Sequence, residues 1–274
     1  MANLSIAVNN AQGEIEYWVR GEDEIHLVYP EEYVPGDKLV FTADEVPGFY
    51  IIRVDGTMDE AYVYLTHRRL EYAIPFERGN PLDMDRISYC PGSFVGKQHY
   101  MTIRKAREEE NRNYWNLAKN VMDQHDDMGC YPHVHANAET KGAIAPLFSA
   151  RNAIDGVLAN VGHYPWPYQS WGINHQRDDA EIVLEFGRPV DMDELRLTTR
   201  ADFPHDSWWT QGTISFSDGT SEVVKLGKKM EPQVFSIRRQ GITWLKVGQL
   251  IKGDDSSPFP ALTQIEVYGT NSLL

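Results

Sequence analysis

The sequence predicts an all-β protein built of two antiparallel β-sandwiches that are joined by a helix. Short β-favouring runs separated by turn residues fill 24–104 and again 148–270, as is typical of sandwich proteins. The stretch 104–124 lies between them, contains no glycine or proline, and spaces its apolar residues as a helix does. The predicted units are an N-terminal sandwich at 1–104, the helix and an irregular linker at 105–147, and a C-terminal sandwich at 148–274.

The first sandwich is predicted from six runs and the turns between them. Pro35-Gly36, Pro47-Gly48 and Asp55-Gly56 follow or precede runs and suit tight chain reversals. Because no helical period separates the runs, neighbouring strands are expected to pair antiparallel. The predicted strands are 25–29, 39–42, 49–54, 61–65, 72–76 and 98–104.

The predicted helix carries an apolar stripe. Tyr114, Leu117, Ala118, Val121 and Met122 fall on one helical face. Such a stripe packs on its own chain more often than on a second copy. We therefore favour intramolecular docking of the helix, with a homodimer as the alternative.

The β pattern returns after residue 148. Asp218-Gly219 separates two β-favouring runs and suits a two-residue hairpin turn. The runs predict a second antiparallel sandwich. Its predicted strands are 181–186, 194–200, 213–217, 221–226, 234–237, 242–247 and 262–268.

Four segments of the second half carry a family resemblance. The run ARNAIDG at 150–156, Ser170-Trp171, LEFGRPV at 184–190 and IEVYG at 265–269 resemble the discoidin-like, coagulation-factor C-type domains of the galactose-binding-like superfamily. The resemblance covers 148–270 and implies a jelly roll of the carbohydrate-binding-module type, with ligands held by loops at one end. Sugars, lipids and proteins all bind to this scaffold, so the resemblance implies a fold rather than one ligand.

The same resemblance implies a structural calcium ion beside the 150–156 turn. Its ligands would be carbonyl, carboxylate and hydroxyl oxygens, which calcium prefers. The alternative is that Asp155 caps a turn and that Glu266 is an outward-facing strand residue. The chain departs from the family pattern by an insertion at 161–168. The matching positions are Asn152, Asp155, Gly156, Ser170 and Glu266, and no other cofactor is expected.

Two proline-containing loops, 163–171 and 200–209, combine aromatic and charged residues. Aromatic rings stack on the C–H face of a pyranose, and charged side chains hold its hydroxyls. We expect the loops to meet at one end of the second sandwich and to form a sugar site, while Trp171 and Trp209 belong to the core. The candidate binding residues are Tyr164, Trp166, Arg200, Asp202, His205 and Trp208.

These residues favour a non-catalytic carbohydrate-binding protein in which the first sandwich is a companion module. One alternative is a carbohydrate-active hydrolase or lyase that uses Asp202, His205 and Asp206 for acid–base chemistry. Another is a protein-interaction subunit that uses the same aromatic loops. Domains of this kind are usually appended modules, and the sequence shows no familiar enzyme signature, so we lean against catalysis.

Charge and composition argue against several partners. The 40 acidic and 26 basic residues give a net charge of −14, which opposes binding to nucleic acid and to anionic membranes. His133 and His135 have strand-like spacing without a third ligand at a recognised zinc spacing, and Cys90 and Cys130 are expected as reduced thiols. The first residues lack a basic and apolar leader, so we expect a cytoplasmic protein, or a secreted one if a signal peptide has been removed.

Overall fold

The computed structural model describes residues 1–76, 86–126, 128–140, 144–173, 176–200 and 207–272. Within these ranges the paired strands run antiparallel, so the predicted all-β antiparallel class is confirmed. Buried apolar residues form two separate cores, one in each sandwich. No helix in the described ranges is long and apolar enough to cross a membrane.

The described residues form seventeen strands and one α-helix, named here in chain order. They are β1 (Asn3–Asn9), β2 (Ile15–Glu22), β3 (Glu24–Tyr29), β4 (Lys38–Ala43), β5 (Gly48–Arg53), β6 (Ala61–Leu65), β7 (Arg69–Ala73), β8 (His99–Lys105), α1 (Glu108–Asn111), β9 (Trp115–Asn116), β10 (Cys130–Tyr131), β11 (His133–Ala136), β12 (Trp171–Gly172), β13 (Ile182–Thr199), β14 (Trp209–Phe216), β15 (Ser221–Lys225), β16 (Gln233–Lys252) and β17 (Ala261–Asn271).

The first sandwich consists of a four-stranded sheet, β2-β1-β4-β7, and a five-stranded sheet, β10-β6-β5-β8-β3. Phe41, Tyr50 and Tyr72 are fully buried in its core. β1 and β2 are not among the predicted strands. β2 lies at the edge of its sheet and is exposed or half-buried along its whole length, so it lacks the apolar alternation that marks a strand in a sequence.

The second sandwich is one sheet that folds over on itself. β13 and β16 pair along most of their length, and the register of β13 shifts repeatedly between Glu185 and Glu194, where the strand bends. Before the bend β13 pairs with β11, and after it β13 pairs with β17. β14 pairs with the second part of β16 and with β15. The two layers enclose a core that contains Trp171 and Trp209, as expected.

The helix predicted over 104–124 is present only as the four residues of α1, so its predicted length is wrong. β8 extends to Lys105, and the chain beyond α1 enters β9, which pairs with β17. The apolar stripe divides between the two cores. Leu117 and Ala118 are buried in the second core, whereas Val121 and Met122 are buried in the first.

Two asparagines in this segment make local hydrogen bonds that replace helical ones. The Oδ1 atom of Asn116 accepts from the backbone N–H of Ala118 at 3.1 Å and of Val267 at 3.0 Å. The Oδ1 atom of Asn120 accepts from the backbone N–H of Met122 at 3.2 Å. Asparagine competes with the helix by such bonds, which residue spacing does not reveal.

The two sandwiches contact each other across a buried arginine. Arg188 donates from Nε to Asn271 Oδ1 at 2.6 Å and from Nη1 to the Phe186 carbonyl at 2.8 Å. Its guanidinium carbon lies 5.2 Å from the ring centroid of Phe49 and 5.9 Å from that of Tyr64, both in the first sandwich. Burial lowers the pKa of Arg188 to about 10. The domain boundaries after residues 104 and 147 remain predictions.

Candidate ligand-binding site

A cavity of about 390 Å³ opens at the end of the second sandwich, where β13 ends and β17 begins. Most of its wall is apolar, and Arg200, His163 and Thr140 contribute polar side chains. It lies at a loop end of the sandwich, where the sequence placed a binding site. The lining residues are Thr140, Ile144, Leu147, Phe148, His163, Gly172, Ile173, Arg200, Phe259, Pro260 and Ala261.

Arg200 directly follows β13 and is held in the cavity wall. Its backbone N–H donates to the Ala261 carbonyl at 2.9 Å, and its Nη2 donates to the Phe259 carbonyl at 3.0 Å. The guanidinium carbon lies 5.8 Å from the ring centroid of Phe148. These contacts fix the direction of a side chain that is 5% exposed, so the guanidinium is positioned before any ligand arrives.

His163 and Tyr164 form an aromatic pair beside the cavity. Their ring centroids are 5.0 Å apart and the rings are nearly parallel, at 19°. His163 lines the cavity, while Tyr164 is 59% exposed and has Tyr168 at its edge. An exposed ring next to a cavity with polar groups has the geometry that stacking on a sugar requires.

The two tryptophans predicted as binding residues are placed elsewhere. The backbone N–H of Trp166 donates to the Ile87 carbonyl at 2.9 Å, which anchors this loop on the segment that precedes β8. Trp208 packs against the backbone of Gly253, where a Cβ atom would lie 2.6 Å from the ring, and Lys228 Nζ lies 5.2 Å from its ring centroid. Neither tryptophan lines the cavity.

The remaining candidates Asp202 and His205, and Asp206 of the enzyme alternative, lie outside the described residues. Sequence reasoning missed the apolar part of the wall, including Phe259. Pro258 and Pro260 flank this ring, and prolines around an aromatic residue are the signal that pointed to the 163–171 loop.

Asp155 is the central residue of the predicted calcium site, and both oxygens of its carboxylate accept hydrogen bonds from the protein. Oδ1 accepts from the backbone N–H of Val157 at 2.8 Å and from Gln264 Nε2 at 2.7 Å, and Oδ2 accepts from Gln169 Nε2 at 2.7 Å. The bond to Val157 is the turn cap that the sequence offered as the alternative to a metal.

The orientation of the Gln264 amide excludes a cation at this position. The backbone N–H of Gly156 donates to Gln264 Oε1 at 3.0 Å, so the oxygen must face Gly156. Nε2 then donates both to Asp155 Oδ1 and to the Asn152 carbonyl, each at 2.7 Å. A donor group thus occupies the place between two proposed calcium ligands, and the residues present do not fit the ion.

The other proposed ligands do not restore a site. Glu266 accepts from the Tyr268 hydroxyl at 3.0 Å, and the Ser170 hydroxyl is buried without a hydrogen bond to any described residue. His133 Nδ1 lies 2.9 Å from Asp123 Oδ1 in a buried pair, while His135 is exposed. Among the described residues, no group of three or more His, Cys, Asp or Glu side chains is placed to hold a metal ion.

Burial raises the pKa of the Asp155 carboxyl to about 6, although Arg151 and the hydrogen bonds act in the opposite direction. Because the folded state holds the proton more tightly, the contribution of Asp155 to stability is present below its ordinary pKa of 3.8 and is lost as pH rises through about 6. We expect Asp155→Asn to abolish this loss. Gln169 Oε1 is buried without a hydrogen bond to any described residue, so a flipped Gln169 can accept from the new amide.

The measurement is the free energy of unfolding of parent and Asp155→Asn between pH 4 and pH 7.5. The difference should change by about 3 kcal/mol in favour of the variant as pH rises. Asp218→Asn is the matched control, since Asp218 also caps the N–H two residues on but is partly exposed. Parallel profiles for the parent and Asp155→Asn would show that the carboxyl titrates normally.

Solved structures that align with this chain include sugar-binding modules. They include chitosan-binding module 1 of a chitosanase/glucanase from Paenibacillus sp. IK-5, at 19% identity over 56% of this chain and 98% of that chain, with a TM-score of 0.40. The lectin domain of lectinolysin in complex with Lewis B antigen matches at 12% identity over 57% of this chain and 96% of its own, with a TM-score of 0.41.

A family 32 carbohydrate-binding module from C. perfringens NanJ, in complex with galactose, matches at 15% identity over 49% of this chain and 91% of its own, with a TM-score of 0.37. Identities and TM-scores this low assign neither a ligand nor an activity to this chain. No family model and no curated protein matches the sequence.

Proposed function

We propose that this chain is a non-catalytic carbohydrate-binding protein whose ligand occupies the cavity at the end of the second sandwich. The observation that carries the proposal is the combination of a fixed guanidinium, Arg200, with the stacked pair of His163 and Tyr164 at one cavity. A pyranose presents an apolar C–H face and a polar edge; the cavity wall supplies polar groups, and the Tyr164 ring next to His163 supplies an aromatic face.

Each polar group of the wall has a defined task in this proposal. Tyr164 stacks on the C–H face of the sugar, and the Arg200 guanidinium donates to hydroxyls, which are acceptors as well as donors. The His163 ring supplies a further donor or acceptor at the same edge. We propose binding without turnover, because the polar side chains of the described lining, Thr140, His163 and Arg200, suit hydrogen bonds to hydroxyls.

We also propose that ligand binding needs no calcium. The Gln264 amide, rather than an ion, joins the Asn152 carbonyl to Asp155, and this cluster pins the 150–156 turn to β17. A chelator is therefore expected to change neither the affinity for a sugar nor the melting temperature.

The proposal is tested with a glycan array probed by the intact chain, followed by calorimetric titration of the glycans that bind. Tyr164→Ala should weaken binding about five- to tenfold through loss of stacking. The melting temperature should stay the same because Tyr164 is 59% exposed. Tyr114→Ala is the matched control, since Tyr114 is 55% exposed and stacks on Tyr268, which does not line the cavity, whereas Tyr164 stacks on His163, which does.

Three outcomes would contradict the proposal. If no glycan binds, or if Tyr114→Ala weakens binding as much as Tyr164→Ala, the cavity is not the sugar site. Glycans that bind are also incubated with the chain and analysed by mass spectrometry. A cleaved product in that assay would show that the protein is an enzyme, contrary to the proposed function.

A further inference from the structure

We infer that the sugar bound in this cavity carries an apolar substituent, such as an N-acyl group or an aromatic aglycone, which enters the cavity beside the sugar ring. This inference rests on the proposed function, because it concerns the same site. It starts from an imbalance in the wall, where three polar side chains, Thr140, His163 and Arg200, stand against a larger number of apolar residues.

The inner wall is built for apolar contact. Leu147 and Ala261 are buried, and Gly172 lets Phe148 lie directly on the backbone, since a Cβ atom at Gly172 would come within 3.0 Å of that side chain. Ile173 continues this surface. A hydroxyl pressed against it would lose its hydrogen bonds to water without gaining others, which weakens binding, whereas an apolar group gains from leaving water.

The mouth of the cavity points to the same chemistry. Ile144 and Phe259 line the cavity and are each 46% exposed. Large apolar side chains that stay exposed together around a cavity mark a binding surface rather than a folding core. An unsubstituted hexose carries hydroxyls around its ring and leaves Ile144 and Phe259 without an apolar partner.

The experiment compares phenyl and methyl glycosides of galactose, glucose, mannose and fucose, together with N-acetylglucosamine and glucosamine, by calorimetric titration of the intact chain. We expect at least tenfold tighter binding of the phenyl glycoside than of the methyl glycoside on the preferred sugar. The N-acetyl pair distinguishes an acyl group from an aromatic aglycone as the occupant. Tighter binding of either substituted member supports the inference.

Phe259→Ala should reduce the ratio of phenyl to methyl affinity from at least tenfold to near one, because the side chain forms the mouth of the apolar part. Its melting temperature should match the parent, since Phe259 is 46% exposed and the carbonyl that holds Arg200 remains. Leu158→Ala is the matched control, because Leu158 is 48% exposed and lies outside the lining; it should keep the ratio.

The outcomes separate this inference from the function on which it rests. If methyl and phenyl glycosides bind equally well, and the N-acetyl group adds nothing, the sugar site stands and the apolar substituent is refuted. If none of the glycosides binds, the proposed function itself fails. A ratio that survives Phe259→Ala would also refute the placement of the substituent at this mouth.

Discussion

Gln264→Glu should make the stability of this protein depend on calcium. In the parent, Nε2 of Gln264 donates to the Asn152 carbonyl and to Asp155 Oδ1. A carboxylate in its place turns this contact into three oxygens facing one another in a buried site. Without a cation, we expect the free energy of unfolding to fall by about 3 kcal/mol or more, because a buried charge is left uncompensated. Calcium in excess should restore it, since the donor set then consists of hard oxygens.

Thermal melts of the parent and Gln264→Glu, with chelator and with calcium, measure this effect. A loss of this size corresponds to a shift of roughly 6–12 °C for a chain of this length. Gln264→Met is the matched control, because it removes the amide without adding an oxygen; it should be destabilised and indifferent to calcium. A parent whose own melting temperature rises with calcium would show that the ion displaces the Gln264 amide, and the calcium site implied by the resemblance would then be correct.

Arg151→Met should destabilise the fold by about 3–5 kcal/mol. Arg151 is 6% exposed and donates from Nε to the Asp123 carbonyl at 2.8 Å and from Nη1 to Asn152 Oδ1 at 3.2 Å. Its guanidinium carbon lies 4.5 Å from the ring centroid of Tyr89. Methionine fills a similar volume but leaves these acceptors unpaired and removes the positive charge near the buried carboxyls Asp123 and Asp155.

The measurement is urea denaturation at pH 7, and Arg196→Met is the matched control. Arg196 also lies over an aromatic ring, at 4.4 Å from the centroid of Tyr268, and pairs with Glu194. Because its side chain is 35% exposed, the same replacement there should change stability by about 1 kcal/mol or less. Equal losses in the two variants would show that burial does not increase the contribution of Arg151 to the free energy of unfolding.

Many strands of both sandwiches were predictable because their signals are local. Apolar residues alternate with polar ones along β3, which buries Ile25, Leu27 and Tyr29, and glycines and prolines mark the turns. The length of the helix was not predictable, because the spacing of the apolar residues from Leu117 to Met122 is compatible with a helix. In the fold, however, Leu117 is buried in the second core and Met122 in the first. β2 was missed because an exposed edge strand carries no alternation.

The candidate site was predictable in part. The two loops rich in aromatic residues predicted a site at one end of the second sandwich, and Arg200 and His163 line a cavity there. That a ligand binds in this cavity stays a prediction. The sequence does not reveal that Trp208 packs on Gly253 or that Trp166 is anchored on Ile87. A loop tryptophan has the same composition signal whether its ring faces a ligand or its own chain.

By itself, the sequence determined the all-β antiparallel class and many of the turns, because neighbouring residues decide those features. Only the tertiary structure decided which donors meet which acceptors. The Gln264 amide reaches the Asn152 carbonyl across 112 positions of the chain, and no local pattern encodes that meeting. The same oxygens that match a calcium site in the sequence are therefore joined by an amide in the fold. The N–H groups of the amide donate hydrogen bonds to these oxygens where a calcium ion would otherwise bind them.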